Sequence, residues 1–255
     1  MVGSQMAAQP HRRSARELKT ASVPLKADLC GRLIRRYKRF LADVELTSGK
    51  IITVHCPNPG SMRGTNRPGS LVRCSTSDNP KRKLKHTLEM IRVGRIWVGL
   101  HTLRANQIAA RALALGVIPS LEGYSQIEPE VVAGAGSRLD FRLTDHPKDP
   151  RPTWVEVKSV TMSQGTTGLF PDSVSKRAKR HLETLAQKVS DGDRAILLYV
   201  VQRADCVTVK AAHEIDPAYA EALQNAASLG VEIQAVSARV RSTEIRLEKT
   251  LPVVV

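Results

Sequence analysis

Hydrophobic and polar positions alternate along the first hundred residues in short runs. Phe40, Ala42, Val44 and Leu46 alternate with Arg39, Asp43 and Glu45, a period of two broken only by Leu41, which predicts a half-buried strand. Thr47–Lys50 reads TSGK, a turn, so Ile51–Cys56 becomes the second arm of a hairpin. Pro and Gly recur through Pro57–Gly69, marking a loop, and DNPKRK at Asp78–Lys83 marks another turn. Leu71–Ser75, Thr87–Val93 and Arg95–Leu100 complete a set of five short strands. Five such strands in close succession suggest a small closed β-barrel, of which the OB-fold is one type.

After residue 100 the period lengthens. Thr102–Gly116 is rich in Ala and Leu, opens on a Thr and ends on a Gly, which predicts a capped helix. Strands are expected at Tyr124–Val132, Arg138–Thr144 and Thr153–Thr161. Ser173–Ser190 places Val174, Ala178, Leu182, Leu185 and Val189 on one helical face, with Asp172 or Ser173 as its cap. Arg194–Val201 is a continuous apolar run of buried-strand type. A strand at Cys206–Ala211, a helix at Pro217–Leu229 and strands at Val231–Val236 and Ser242–Leu247 follow. The mixed order predicts an α/β (α+β) chain: a five-stranded OB-fold-like barrel over residues 29–100, then a layered mixed-sheet domain over residues 101–255. Residues 1–28, polar and Arg-rich, are expected to form a disordered basic tail.

Composition narrows the class. With 42% apolar and 25% charged residues the chain is of globular type. Its longest apolar run, Ala195–Val201, is far short of a membrane-spanning helix, so no membrane partner is expected. The net charge is +15, and it is unevenly placed: residues 1–100 hold 20 of the 39 Lys and Arg but 6 of the 24 Asp and Glu. The remainder is close to neutral. Such asymmetry points to a polyanion bound by the first domain. Cys30, Cys56, Cys74 and Cys206 show no CxxC spacing, which argues against a zinc knuckle or a redox dithiol and suits reduced thiols in a cytoplasm. Arg12-Arg13 is not followed by an apolar segment, which argues against export.

The candidate nucleic-acid contacts are Arg35, Arg36, Lys38, Arg39, Arg63, Lys81, Arg82 and Lys83 on the barrel. Aromatic residues are sparse among them, which favours backbone binding to duplex DNA with little sequence preference, RNA being the alternative polyanion. A location at the nucleoid would follow. Oligomeric state is left open between monomer and homodimer.

The sharpest chemical feature is Asp140 followed sixteen residues later by Glu156-Val157-Lys158. On a strand Glu156 and Lys158 share a face while Val155 and Val157 point to the core. Two nearby carboxylates repel, and a hard cation such as Mg2+ (or Mn2+) relieves that repulsion. The plain alternative is a Glu156–Lys158 ion pair at a sheet edge. A second group is Arg177 and His181, one helical turn apart, able to face the acids and hold a phosphate, or else part of a solvated basic face with Lys176, Lys179 and Arg180. A third is the loop with His55, Asn58, Gly60 and Ser61, either an anion-binding array of N–H groups or simply a turn.

The runs RYKRFLADV (Arg36–Val44), HCPNPGSM (His55–Met62), STSDNPKRK (Ser75–Lys83), SRLDF (Ser137–Phe141), EVKSVT (Glu156–Thr161) and FPD with RxxxHL (Phe170–Asp172, Arg177–Leu182) resemble, in order, the bacterial sugar fermentation stimulation protein A family. The resemblance implies an N-terminal OB domain and a C-terminal domain of the PD-(D/E)xK nuclease superfamily. It also implies non-specific DNA binding and a regulatory role in sugar metabolism, maltose use in particular. Carried onto this chain, the metal-site triad is Asp140, Glu156 and Lys158. Leu139 stands where the motif has its proline, and the literal Pro171-Asp172 is a decoy because no ExK follows it. Two further departures are Pro59, where the family commonly has Thr, and Asn106-Gln107 on the first helix, where many superfamily nucleases carry a Glu. The readings to separate are therefore DNA binding without catalysis and Mg2+-dependent hydrolysis of DNA or RNA.

Overall fold

A computed structural model describes residues 20–134 and 136–255. It opens with β1 (Ser22–Pro24), which joins a sheet of the second domain. The next strands are β2 (Leu29–Tyr37), β3 (Leu41–Leu46), β4 (Ile51–His55), β5 (Leu71–Thr76), β6 (His86–Val93) and β7 (Ile96–Gly99). They pair in the order β4-β3-β2-β5-β6-β7, and a parallel bridge from His55 to Thr87 joins β4 to β6. Five strands thus close into an OB-like barrel, with β7 folded back on β6. Leu33, Val44, Val54, Met62, Leu88 and Ile91 fill the interior. The barrel is a packed core rather than a ligand cavity.

The barrel's first strand is not the expected one. The strand expected at Phe40–Leu46 is β3, less Phe40, which lies outside any strand and 45% exposed. β2 precedes it as an unexpected member of the closed set, and β7, expected within the set, is folded back on β6. β2 reads LCGRLIRRY, and a register shift between Leu33 and Arg35 breaks its alternation, so its arginines hide a strand. Gly31 is needed there, because a Cβ would stand 2.5 Å from the Glu45 carbonyl oxygen on β3. The turn between β2 and β3 carries Lys38 and Arg39 at φ 46° and 61°, in the left-handed region.

The second domain contains α1 (Thr102–Ala114), a 3-10 turn at Pro119–Leu121, β8 (Gln126–Gly134), β9 (Ser137–Thr144), β10 (Thr153–Val160), β11 (Met162–Gln164), β12 (Thr167–Phe170), α2 (Lys176–Ser190), β13 (Arg194–Val201), β14 (Thr208–Ala211), α3 (Pro217–Ser228), β15 (Glu232–Val240), β16 (Glu244–Leu251) and β17 (Val253–Val254). The main sheet runs β1-β16-β15-β13-β10-β9-β8, parallel across β10, β13 and β15. A small second sheet runs β11-β12-β14-β17. β13 is buried on both faces, as its unbroken apolar run requires. One face packs Val155, Val157, Ile196 and Leu198 with Ile108 and Ala109 of α1. The other packs Trp154, Leu197 and Tyr199 with Leu182 and Leu185 of α2 and Tyr219 and Leu223 of α3.

Three expectations change. Residues 20–28, assigned to the tail, are ordered: β1 pairs antiparallel with β16, and Ala21, Leu25 and Ala27 are buried. Residues 1–19 of that tail lie outside the described residues. α2 starts at Lys176, its cap is the Ser175 hydroxyl accepting from Ala178 N–H, and Val174 is exposed rather than on the buried face. The β11–β12 hairpin was not foreseen, since its residues are too short and polar to carry a period. Among the described residues no helix is long and apolar enough to cross a membrane.

Candidate active site

β9 and β10 pair only from Thr153↔Leu143 to Val155↔Phe141, and then diverge. In the fork the Val157 N–H donates instead to Asp140 Oδ2 at 2.7 Å. Asp140 Oδ1 accepts from Asn106 Nδ2 of α1 at 2.6 Å. The carboxylate thus takes the place of a missing strand partner, which fixes its position opposite β10.

Glu156 and Lys158 leave β10 on the face toward α2, as their spacing predicts. Glu156 is buried, and its Oε1 accepts from Lys158 Nζ at 2.5 Å and from His181 Nδ1. His181 Nδ1 faces Glu156, and Arg177 Nε lies 3.4 Å from its Nε2. Glu156 Oε2 is buried with no hydrogen-bond partner. Burial pushes the Asp140 carboxyl up to about 7, and the charge of Glu156 adds to the shift, against Val157 N–H, Lys158 and Asn106. Burial also pushes Glu156 up, but the bond from His181 and the charges of Lys158 and His181 outweigh it and hold the group below its ordinary value.

An orphaned carboxylate oxygen beside a second carboxylate, whose ionisation it opposes, fits a hard cation with oxygen ligands. Asp140 and Glu156 are the two residues that could hold it. Among the described residues no group of three or more His, Cys, Asp and Glu is arranged around a common point. Mg2+, which keeps several waters and uses one or two carboxylates, suits so small a set.

A cleft of about 350 Å3 opens between the two domains and reaches β10 at Ser159, the residue after Lys158. Arg39, Asn58 and Gly60 line it from the barrel, and Ser159, Phe170 and Arg177 line it from the second domain. Its wall is a latch. Asp172 Oδ2 accepts from Met62 N–H at 2.8 Å, and the Ser61 hydroxyl donates to the Asp172 carbonyl at 2.5 Å. Asn58 Oδ1 accepts from Gly60 N–H, and its Nδ2 donates to the Leu100 carbonyl. A Cβ on Gly60 would stand 2.2 Å from Asp172 Oδ1. The loop therefore presents an N–H group to an anion, and that anion is a carboxylate of the same chain.

The basic residues divide. Arg36 donates to the carbonyls of Asn58 at 2.7 Å and Gly60 at 2.8 Å, so it clamps the latch loop. Arg35 pairs with Asp43, and Arg82 donates to Thr87 Oγ1. Lys38, Arg39, Arg63, Lys81 and Lys83 are exposed, and Arg39 also donates to the Pro59 carbonyl on the cleft wall. His55 stacks against Phe40 with ring centroids 6.5 Å apart. Asp140, Glu156, Lys158, Arg177 and His181 are brought together; His55, Asn58, Gly60 and Ser61 belong to the barrel side. The sequence left two residues without their roles, Asn106 and Asp172. Their partners lie 34 and 110 or more positions away, and no local pattern encodes such a pairing.

An OB-like barrel latched to a mixed-sheet domain, with two acids and a lysine in a strand fork, defines a two-domain class. The chain's residues 34–100 match the family model described as the SfsA N-terminal OB domain, and residues 103–244 match that of the sugar fermentation stimulation protein RE domain. It is 46% identical over 223 residues to a sugar fermentation stimulation protein homolog of Geobacter sulfurreducens, covering 88% of this chain and 94% of that one. It is 48% identical over 225 residues to the homolog of Halorhodospira halophila, covering 87% and 93%. The structure of Pyrococcus furiosus SfsA in complex with Ca2+ superposes with a TM-score of 0.81 at 25% identity, covering 93% and 96%. The chain belongs to the sugar fermentation stimulation protein family.

Proposed function

We propose that this chain is a nucleic-acid-binding protein whose second domain hydrolyses phosphodiester bonds with a divalent cation. The observation that carries the reading is the β9–β10 fork, where Asp140 lies beside Glu156, whose Oε1 is held by a lysine and a histidine and whose Oε2 has no partner. Asp140 and Glu156 would hold Mg2+ or Mn2+, and Ca2+ in the Pyrococcus relative supports a hard cation in this family. When bound, the metal would polarise a phosphoryl oxygen and lower the pKa of a bound water. The remaining work falls to this chain's own groups. Lys158 Nζ, recessed beside Glu156, is poised to stabilise charge developing on a phosphate. His181 fixes Glu156 from α2, and Arg177 lines the cleft where a backbone phosphate would lie. Lys38, Arg39, Arg63, Lys81 and Lys83 supply exposed charge that attracts the polyanion.

The test is cleavage of end-labelled DNA and RNA with Mg2+ or Mn2+ against EDTA. The wild type should cut only with the metal, and Asp140→Asn and Glu156→Gln should each lose at least about 10- to 100-fold in rate, the cost of disturbing even the outer shell of a metal site. Equal rates in all three proteins would reject the reading. Binding without cleavage, with a regulatory role in sugar metabolism, is the second reading. The observation in its favour is that, among the described residues, no third His, Cys, Asp or Glu joins the two carboxylates around a common point.

A further inference from the structure

Phe40 is the feature the site does not absorb. It is a large aromatic, 45% exposed, at the tip of the β2–β3 hairpin. Its backbone is fixed on both sides: Phe40 N–H donates to the Lys38 carbonyl, and its carbonyl accepts from Cys56 N–H. The two residues before it are left-handed without being glycine, a conformation that L residues adopt only against a steric penalty. The hairpin tip therefore holds a ring at the surface. His55 stacks against that ring at an interplanar angle of 29°, and exposed Lys38 and Arg39 flank it. Arg39 is also a wall of the interdomain cleft. An aromatic pair bordered by cations is the arrangement that takes a base face and a neighbouring phosphate.

The acids point the same way. Glu156 is 3% exposed, and the cleft of about 350 Å3 passes it only through Ser159, next to Lys158 on β10, and Arg177, which touches His181. A duplex is stiff over roughly 150 base pairs and carries its phosphates on a broad rod, so it does not bend into such a recess. An unpaired strand does. The cleft wall includes Met162, Leu169 and Phe170, apolar groups suited to base faces rather than to a phosphate backbone alone.

Resting on the nucleic-acid reading above, we propose that the substrate is an unpaired strand, with one base stacked on the Phe40–His55 platform and the adjacent phosphates held by Arg39 and Arg177. This departs from the expectation of duplex binding, which rests on the scarcity of aromatics. One aromatic, correctly placed, outweighs a low count.

The test is fluorescence anisotropy in EDTA, where no cleavage interferes, with a labelled single-stranded oligonucleotide and a blunt duplex of equal length. Proteins are the wild type, Phe40→Ala and Phe40→Trp, each checked for an unchanged melting temperature. The wild type should prefer the single strand. Phe40→Ala should weaken single-strand binding by about 5- to 150-fold and leave duplex binding unchanged. Phe40→Trp should retain single-strand binding, with its added indole emission quenched by the oligonucleotide. Duplex bound as tightly as single strand, with Phe40→Ala indistinguishable from wild type on both, overturns the inference while leaving nucleic-acid binding intact. Binding of neither probe by the wild type overturns the nucleic-acid reading itself.

Discussion

Glu156 holds two donors on one oxygen and none on the other, and this asymmetry is the most informative feature at the residue scale. A buried carboxylate so arranged depends on its remaining partners. His181→Ala should lower stability by about 1–3 kcal/mol in chemical denaturation, since it removes one hydrogen bond from a buried charged acceptor. An unchanged midpoint would mean that His181 does not support Glu156. His101 offers a pH test away from the acids. Burial holds its imidazole below the ordinary 6.5, with Glu89 opposing and Arg104, His55 and Arg82 reinforcing. The unfolded chain then binds the proton more readily than the folded one, so the stability this group contributes is full above its unfolded value and lost as pH falls below it. The stability of the wild type relative to His101→Gln should therefore fall from neutrality to about pH 5. Parallel curves would contradict this. Asp140, Glu156, Lys158 and His181 were readable because strand and helix periods place them on known faces. Asn106 was not, because a helix polar residue looks the same whether it faces water or a carboxylate.

At the scale of elements, the fold was legible where one face is apolar and obscure where function or closure interrupts the pattern. β13 announced itself by seven consecutive buried residues, and α1 by its Ala and Leu face. β2 was hidden because a bulge shifts its register and arginines occupy most of its outward positions. The latch was unreadable, since Asp172 meets Met62 across 110 residues. Its tightness gives a prediction. Gly60→Ala would place a methyl carbon against the Asp172 carboxylate, and overpacking of this kind should lower stability by about 1–3 kcal/mol in thermal or denaturant unfolding. Gly60→Ala combined with Asp172→Ala should lose less than the two single changes added together, because both act on one contact. Strict additivity would show that the two residues are not coupled.

For the whole molecule, the charge imbalance becomes a division of labour between two latched domains. The barrel carries an excess of cations over acids, and the second domain, near neutral, carries the recessed acids Asp140 and Glu156. Some of the barrel's arginines serve the fold: Arg36 holds the latch loop, so Arg36→Ala should act mainly on stability. Lys81 and Lys83 are exposed and make no such contact, so replacing both with Ala should reduce the slope of log K against log salt by about 1.4 for a single strand. An unchanged slope would remove these two lysines from the binding surface. The central claim is that the β9–β10 fork is a cation site, and the most direct measurement is a calorimetric titration of Mn2+ into the wild type, Asp140→Asn and Glu156→Gln. The account predicts a saturable site in the wild type that weakens at least about tenfold in each variant, a loss of roughly 1.4 kcal/mol or more. Equal Mn2+ binding by all three proteins, or none by the wild type, would contradict it.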